Sequence, residues 1–251
     1  MENPMASGVL VFKGMRVGVQ DGDLTIEEDE SGAASGKLIL STAYSVLPLW
    51  LRVADDELRY AKTAAEAVAS RWSSDDEINR ELLVAELEPS MQVAVACGIA
   101  LDAMYDQLRP YAKLTNSEIQ KMRDNKTKRA AHITEIIRRV YKIDRKKLPD
   151  LTQKVESVIS YRDRAVHPSF KLERTCTRPD IPVGVDWKFS LYRYSNAKQC
   201  LVTTMTVFLH LYEKKSGTRE VDEEMERIVA ALEQLNLIQR KASAITCAEI
   251  P

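Results

Sequence analysis

Apolar and polar positions change their period about fifty residues into the chain. Before that point they fall in short extended runs, Val9 to Phe12, Met15 to Val19 and Leu24 to Ile26, punctuated by Gly14 and Asp21-Gly22. That pattern predicts a small β-meander. From Pro48 onward the spacing becomes three and four, through Leu51, Leu58, Ala61 and Ala65 to Trp72. This is a helix with proline in its first turn. Ser74 and Glu77 have capping-box spacing ahead of Leu82, Leu83 and Leu87, and Pro89 predicts a break. Beyond it Val93, Ala96, Cys97, Ala100, Leu101, Met104 and Leu108 form one broad stripe of a long helix that ends near Pro110.

A second capping box, Thr115 with Glu118, opens a polar helix whose apolar face sharpens at Ala130, Ile133, Ile136, Ile137 and Val140. Pro149 starts the next helix, with Leu151, Val155, Val158 and Ile159 on one side. It should stop near Val166, because the residue before Pro168 is pushed out of the α region. Residues 169–188 read as a loop. A core helix carries Ala197, Cys200, Leu201, Val207, Phe208 and Leu211 to about Lys215, and an amphipathic helix spans roughly 220–241.

The expected organisation is a small β-rich segment over 1–41, accessory helices over 42–88, a helical bundle over 89–215, and a C-terminal helix and tail over 216–251. Val93, Leu101, Val155, Ile159, Leu201 and Phe208 should share the core, and β structure should be confined to the first 40 or so residues.

Composition narrows function more than fold. Of 251 residues 45% are hydrophobic and 29% charged, which excludes disordered and fibrous classes, and the net charge of −1 advertises no global affinity for nucleic acid or anionic lipid. Four scattered cysteines write neither a zinc knuckle nor a disulfide framework. With neither a secretory leader pattern nor a run of about eighteen apolar residues, the expectation is a cytoplasmic protein with no membrane partner.

Gly32-Ala33-Ala34-Ser35-Gly36-Lys37 has the outline of a phosphate-binding loop. It has three residues between the glycines where that loop needs four, Leu38 follows the lysine, and acidic Glu27 to Glu30 precede it, so it reads as an ordinary loop.

There are three histidines. His132 and His210 lie inside helices beside aliphatic residues and read as structural. His167 ends the run Tyr161-Arg162-Asp163-Arg164-Ala165-Val166-His167-Pro168. Counting from Leu151 places Arg162 on the apolar seam, where a guanidinium needs a carboxylate, a partner chain or a bound anion. His167, at the helix end, gains from the C-terminal dipole when protonated, and the two cationic groups are expected to converge near one helix terminus.

The stretch Arg162-Asp163-Arg164-Ala165-Val166-His167 resembles the Arg, Asn or Asp, three variable residues, His motif of HEPN-domain ribonucleases. The resemblance covers about 90–215. It implies a mainly α fold: a HEPN-like helical bundle carrying a small N-terminal β element and a C-terminal amphipathic helix. It also implies RNA cleavage without metal or cofactor. His167 would be general base or acid at the ribose 2′-hydroxyl or the departing 5′-oxygen, Arg162 would stabilise charge on the phosphate, and Asp163 would orient its neighbours. The products would be a 2′,3′-cyclic phosphate and a free 5′-hydroxyl, and the active form a two-fold homodimer. A toxin or defence effector, held by an antitoxin or regulatory protein, fits that family. Ser169 stands where antitoxin-paired members often carry tyrosine.

Between Arg109 and Lys147 thirteen basic residues face four acidic ones. This is a candidate track for the RNA backbone, with Lys126, Lys128, Arg129 and Arg164 as expected contacts. The residues alone leave a second class open, a non-catalytic helical dimerisation or regulatory module. A seam Arg162 locked by an internal carboxylate such as Asp102 or Glu156 would favour that class.

Overall fold

The computed structural model describes residues 9–12, 15–28, 31–167, 171–241 and 244–247. Gly14, Asp29, Glu30, Pro168 and Ser169 lie outside them. The chain divides after Val46 into two compact units.

The first unit is a two-stranded ribbon rather than a meander. β1 (Met15–Gly18) pairs antiparallel with β4 (Ser41–Tyr44), and β2 (Leu24–Glu28) with β3 (Ala34–Leu38). The turn at Asp21-Gly22, where Gly22 has φ of 88°, is a corner between the two ladders, bridged by the Ile39 amide donating to the Asp23 carbonyl at 2.8 Å. Val9 to Phe12 join no strand.

The second unit is mainly α. α1 (Leu47–Arg71) buries Leu47, Leu51, Ala54, Leu58 and Ala61, a three- and four-residue spacing, against α2 (Asp76–Leu108). Because the first four of these share the core with the bundle helices, α1 is integral to the bundle rather than accessory to it. Asp75 caps α2, one residue beyond the expected Ser74, its carboxylate accepting from the Glu77 and Ile78 amides. Pro89 does not break α2. Its ring leaves the Ala85 carbonyl without the usual helical donor, a cost borne because Pro89 is buried within a 33-residue helix packed on several neighbours. A 3₁₀ turn at Arg109–Ala112 follows, holding Pro110.

α3 (Asn116–Asp124) begins on the predicted Thr115 and Glu118 capping box. α4 (Arg129–Val140) and α5 (Leu148–Val166) then pack on α2, and α5 ends where expected. The loop beyond holds a two-residue ladder of β5 (Cys176–Thr177) with β6 (Gly184–Val185) and the short α6 (Trp187–Leu191). α7 (Tyr194–Lys214) returns through the core. α8 (Arg219–Gln234) stops seven residues short of the expected end, at a reversal where Asn236 takes φ of 57°, and β7 (Ile238–Lys241) and β8 (Ala244–Cys247) form a hairpin. Strands are therefore not confined to the first 40 residues.

Val93, Leu101, Val155, Ile159, Leu201 and Phe208 are all buried in one cluster. α2 is long and apolar enough to cross a membrane by length and composition, yet 56% of its most apolar window is buried inside the bundle. A smaller cluster of Val68, Leu82, Leu83, Ile181 and Val185 seals the loop onto the α1–α2 hairpin. Beside it Arg178, with 1% of its side chain exposed, donates to Glu86 at 2.7 Å, to Asp180 at 2.6 Å and to the Phe189 carbonyl at 2.9 Å. Glu86 also accepts the Tyr194 amide at the start of α7, at 2.9 Å. One buried clasp thus joins α2, the loop and α7.

Candidate functional site at the end of α5

Arg162 leaves the last turns of α5 toward α2, as its seam register demands. A Cβ on Gly98 would lie 2.6 Å from Arg162 Cβ, so the stem of the arginine runs where α2 has no side chain. Its Nη2 donates to Asp102 Oδ2 at 2.6 Å and its Nη1 lies 3.2 Å from Asp163 Oδ1. The Asp102 carboxylate also accepts Arg129 Nε, at 2.7 Å, and the Arg129 guanidinium lies 3.9 Å above the Tyr105 ring. One aspartate on α2 therefore holds two arginines, one from α4 and one from α5. The Arg162 Nε is buried without a hydrogen-bond partner among the described residues.

His167 caps the C-terminus of α5, its amide donating to the Asp163 carbonyl at 2.9 Å. Its imidazole is exposed and has no hydrogen-bond or ion-pair partner among the described residues. With Lys128, Arg129, Glu156, Asp163 and Arg164 it lines an open groove of about 480 Å³. Lys128 pairs with Glu156 at 2.6 Å, and Arg164 lies 5.9 Å from the Trp187 ring centre. Lys126, in the turn before α4, is exposed but does not line the groove.

Arg162 and His167 do not converge within one protomer. Five residues along an α-helix amount to a rotation of about 140°, so the two side chains leave α5 on different faces. Asp163 touches both environments, lining the groove while contacting Arg162.

The other histidines divide. His132 is partly buried on α4, and burial, with Arg129 nearby, pushes its pKa down. His210 is exposed, contrary to the structural role its aliphatic neighbours predict. Leu209 and Leu211 each lie about 100° around the helix from it, so they point inward to either side while the imidazole faces out. The described residues contain no cluster of three or more His, Cys, Asp or Glu able to hold a metal. Cys97 and Cys200 are buried free thiols whose burial pushes their pKa up, that of Cys200 to about 12.

The basic run over 109–147 is not one track. Arg138 and Arg139 are tied to Glu135, and Arg139 also to Glu118. Lys128 and Arg129 reach the His167 groove, while Lys142, Lys146 and Lys147 line a separate cleft near the N-terminus of α5. The residue that sequence reasoning missed is Gly98, whose signal was a lone glycine inside a strongly helical stripe. No family model, curated protein or solved structure matches this chain.

Proposed function

We propose that the protein is a metal-independent endoribonuclease of the HEPN type that acts as a two-fold homodimer, in the setting of a toxin or defence effector. The observation that carries this reading is His167: an exposed imidazole at the C-terminal end of α5, without a partner among the described residues, in a groove also lined by Lys128, Arg129 and Arg164. An imidazole so placed can take the proton of a ribose 2′-hydroxyl. The freed 2′-oxygen attacks phosphorus, the bond to the 5′-oxygen breaks, and that oxygen leaves with a proton drawn from water, while the imidazolium returns its own proton to water. A 2′,3′-cyclic phosphate and a 5′-hydroxyl result. Because Arg162 and His167 diverge on α5, a site using both requires a second copy, whose motif end would supply the arginine opposite the histidine.

A second reading, a non-catalytic dimerisation or regulatory module, is favoured by one observation. Asp102 already pairs with Arg162 and Arg129 inside the protomer.

RNA incubated with the full chain in EDTA separates them. The ribonuclease reading expects cleavage ending in cyclic phosphate, and loss of most of it in His167→Ala and in Arg162→Lys, which keeps the charge but not the planar fork. His132→Ala and His210→Ala should retain it. Intact RNA under all conditions, or a His167→Ala variant as active as its parent, selects the module.

A further inference from the structure

The part of the basic run that turns away from His167 defines a second site. After α4, Lys142 adopts φ of 51° and the Ile143 amide returns to the Arg138 carbonyl at 2.9 Å, reversing the chain so that Lys142, Lys146 and Lys147 flank the start of α5. Lys154, one to two turns along α5, and Lys214, near the end of α7, complete the ring with exposed His210. Together they line a cleft of about 930 Å³ with an aliphatic floor that includes buried Leu151 and Val207.

Three carboxylates share the cleft with five lysines, a formal balance of +2: Asp150 pairs with Lys154 at 2.9 Å, Asp144 accepts the Lys146 backbone amide at 2.8 Å and keeps its charge, and Glu213 is the third. Lys142, Lys146, Lys147 and Lys214 have no ion-pair partner among the described residues. The 3₁₀ turn Arg145–Lys147 leads straight into the 19-residue α5; Asp144, accepting the Lys146 amide, caps that turn and Asp150 sits in the first turn of α5, so the helix dipole adds little to the charge of the lysines.

We infer that this cleft binds a ligand presenting two or more phosphates. Lysines suit it as mobile point charges that can follow a phosphate chain without demanding one geometry. Phe, Tyr and Trp are missing from the cleft lining, whose one ring is the His210 imidazole, so the recognition is of phosphate more than of base. The source is either a free polyphosphate or the phosphodiester backbone of RNA, and the inference does not depend on cleavage at His167, which lies at the other end of α5, about 28 Å away along the helix.

The full chain is titrated with inorganic tripolyphosphate by calorimetry and with a fluorescent 2′-O-methyl RNA 20-mer by anisotropy, a probe that cannot be cut because its nucleophile is blocked. Lys142→Gln/Lys146→Gln/Lys147→Gln should keep its circular dichroism, since all three side chains are exposed, yet bind at least tenfold more weakly with a shallower salt dependence. Lys121→Gln/Arg123→Gln, exposed cations elsewhere, should stay within twofold of wild type. Loss confined to tripolyphosphate identifies a free polyphosphate ligand, and loss confined to RNA identifies the backbone. The inference is overturned if wild type binds neither probe at millimolar concentration, if the triple variant binds like wild type, or if both variants weaken alike.

Discussion

At the scale of single residues, the contact between Gly98 and Arg162 decides how closely α5 approaches α2. The atoms a Cβ would meet are Arg162 Cβ and Cγ, at 2.6 and 2.7 Å, too near the backbone to swing aside. Gly98→Ala therefore gains about 1 kcal/mol of helix propensity but forces the helices apart at an overpacking cost of about 1–3 kcal/mol. The expected net effect is a loss of about 1 kcal/mol in urea unfolding, accompanied by weaker docking of Arg162 on Asp102; a variant more stable than wild type would refute it. Arg162 itself was legible, because four preceding apolar positions fix its register on α5. Its partner was legible only as one of two candidate carboxylates, Asp102 and Glu156, since Asp102 lies 60 residues away and helical spacing says nothing about which element comes to face a seam. His210 was misread for a related reason: flanking leucines bracket an outward direction as readily as an inward one.

At the scale of elements, α3 and α4 are joined by carboxylates more than by apolar contact, for α3 buries no residue fully. Glu118 is held down to about 2 by Arg139, and then by the Thr115 amide and hydroxyl. Glu135 is held to about 2 by Arg138 and Arg139. Both folded values lie below the ordinary carboxylate value, so the unfolded chain takes up protons first as pH falls. The stability these groups provide is present above about pH 4.5 and is lost as the pH drops toward 2. Urea midpoints measured from pH 7 to pH 3 should decline, and Glu135→Gln should flatten that decline while lowering the neutral-pH midpoint. Signals confined to one turn, such as the Thr115 and Glu118 box, were readable. The uninterrupted course of α2 through Pro89 was not, because tertiary packing outweighs a local breaker.

At the scale of the whole molecule, the helical order and the composition of the core followed from periodicity. The clasp of Arg178, Glu86 and Tyr194 did not, for it joins segments 92 and 108 residues apart. Arg178→Met strands the buried Glu86 carboxylate and should cost about 3–5 kcal/mol in chemical unfolding. Adding Glu86→Leu should recover only part of that loss, because the Tyr194 amide then loses its acceptor. Full recovery in the double variant would show that Glu86 serves Arg178 alone.

The clasp also imposes an order on synthesis. Glu86 leaves the ribosome with α2, yet its arginine follows 92 residues later and the amide of α7 108 residues later. At about 5–20 residues per second the wait is roughly 5–20 s. Throughout it the apolar stripe of α2 lacks α7, and a charge destined for the interior must remain in water. The nascent bundle is therefore held open until its C-terminal third emerges, and a chain truncated before Tyr194 should be a substrate for chaperones rather than a smaller version of the fold.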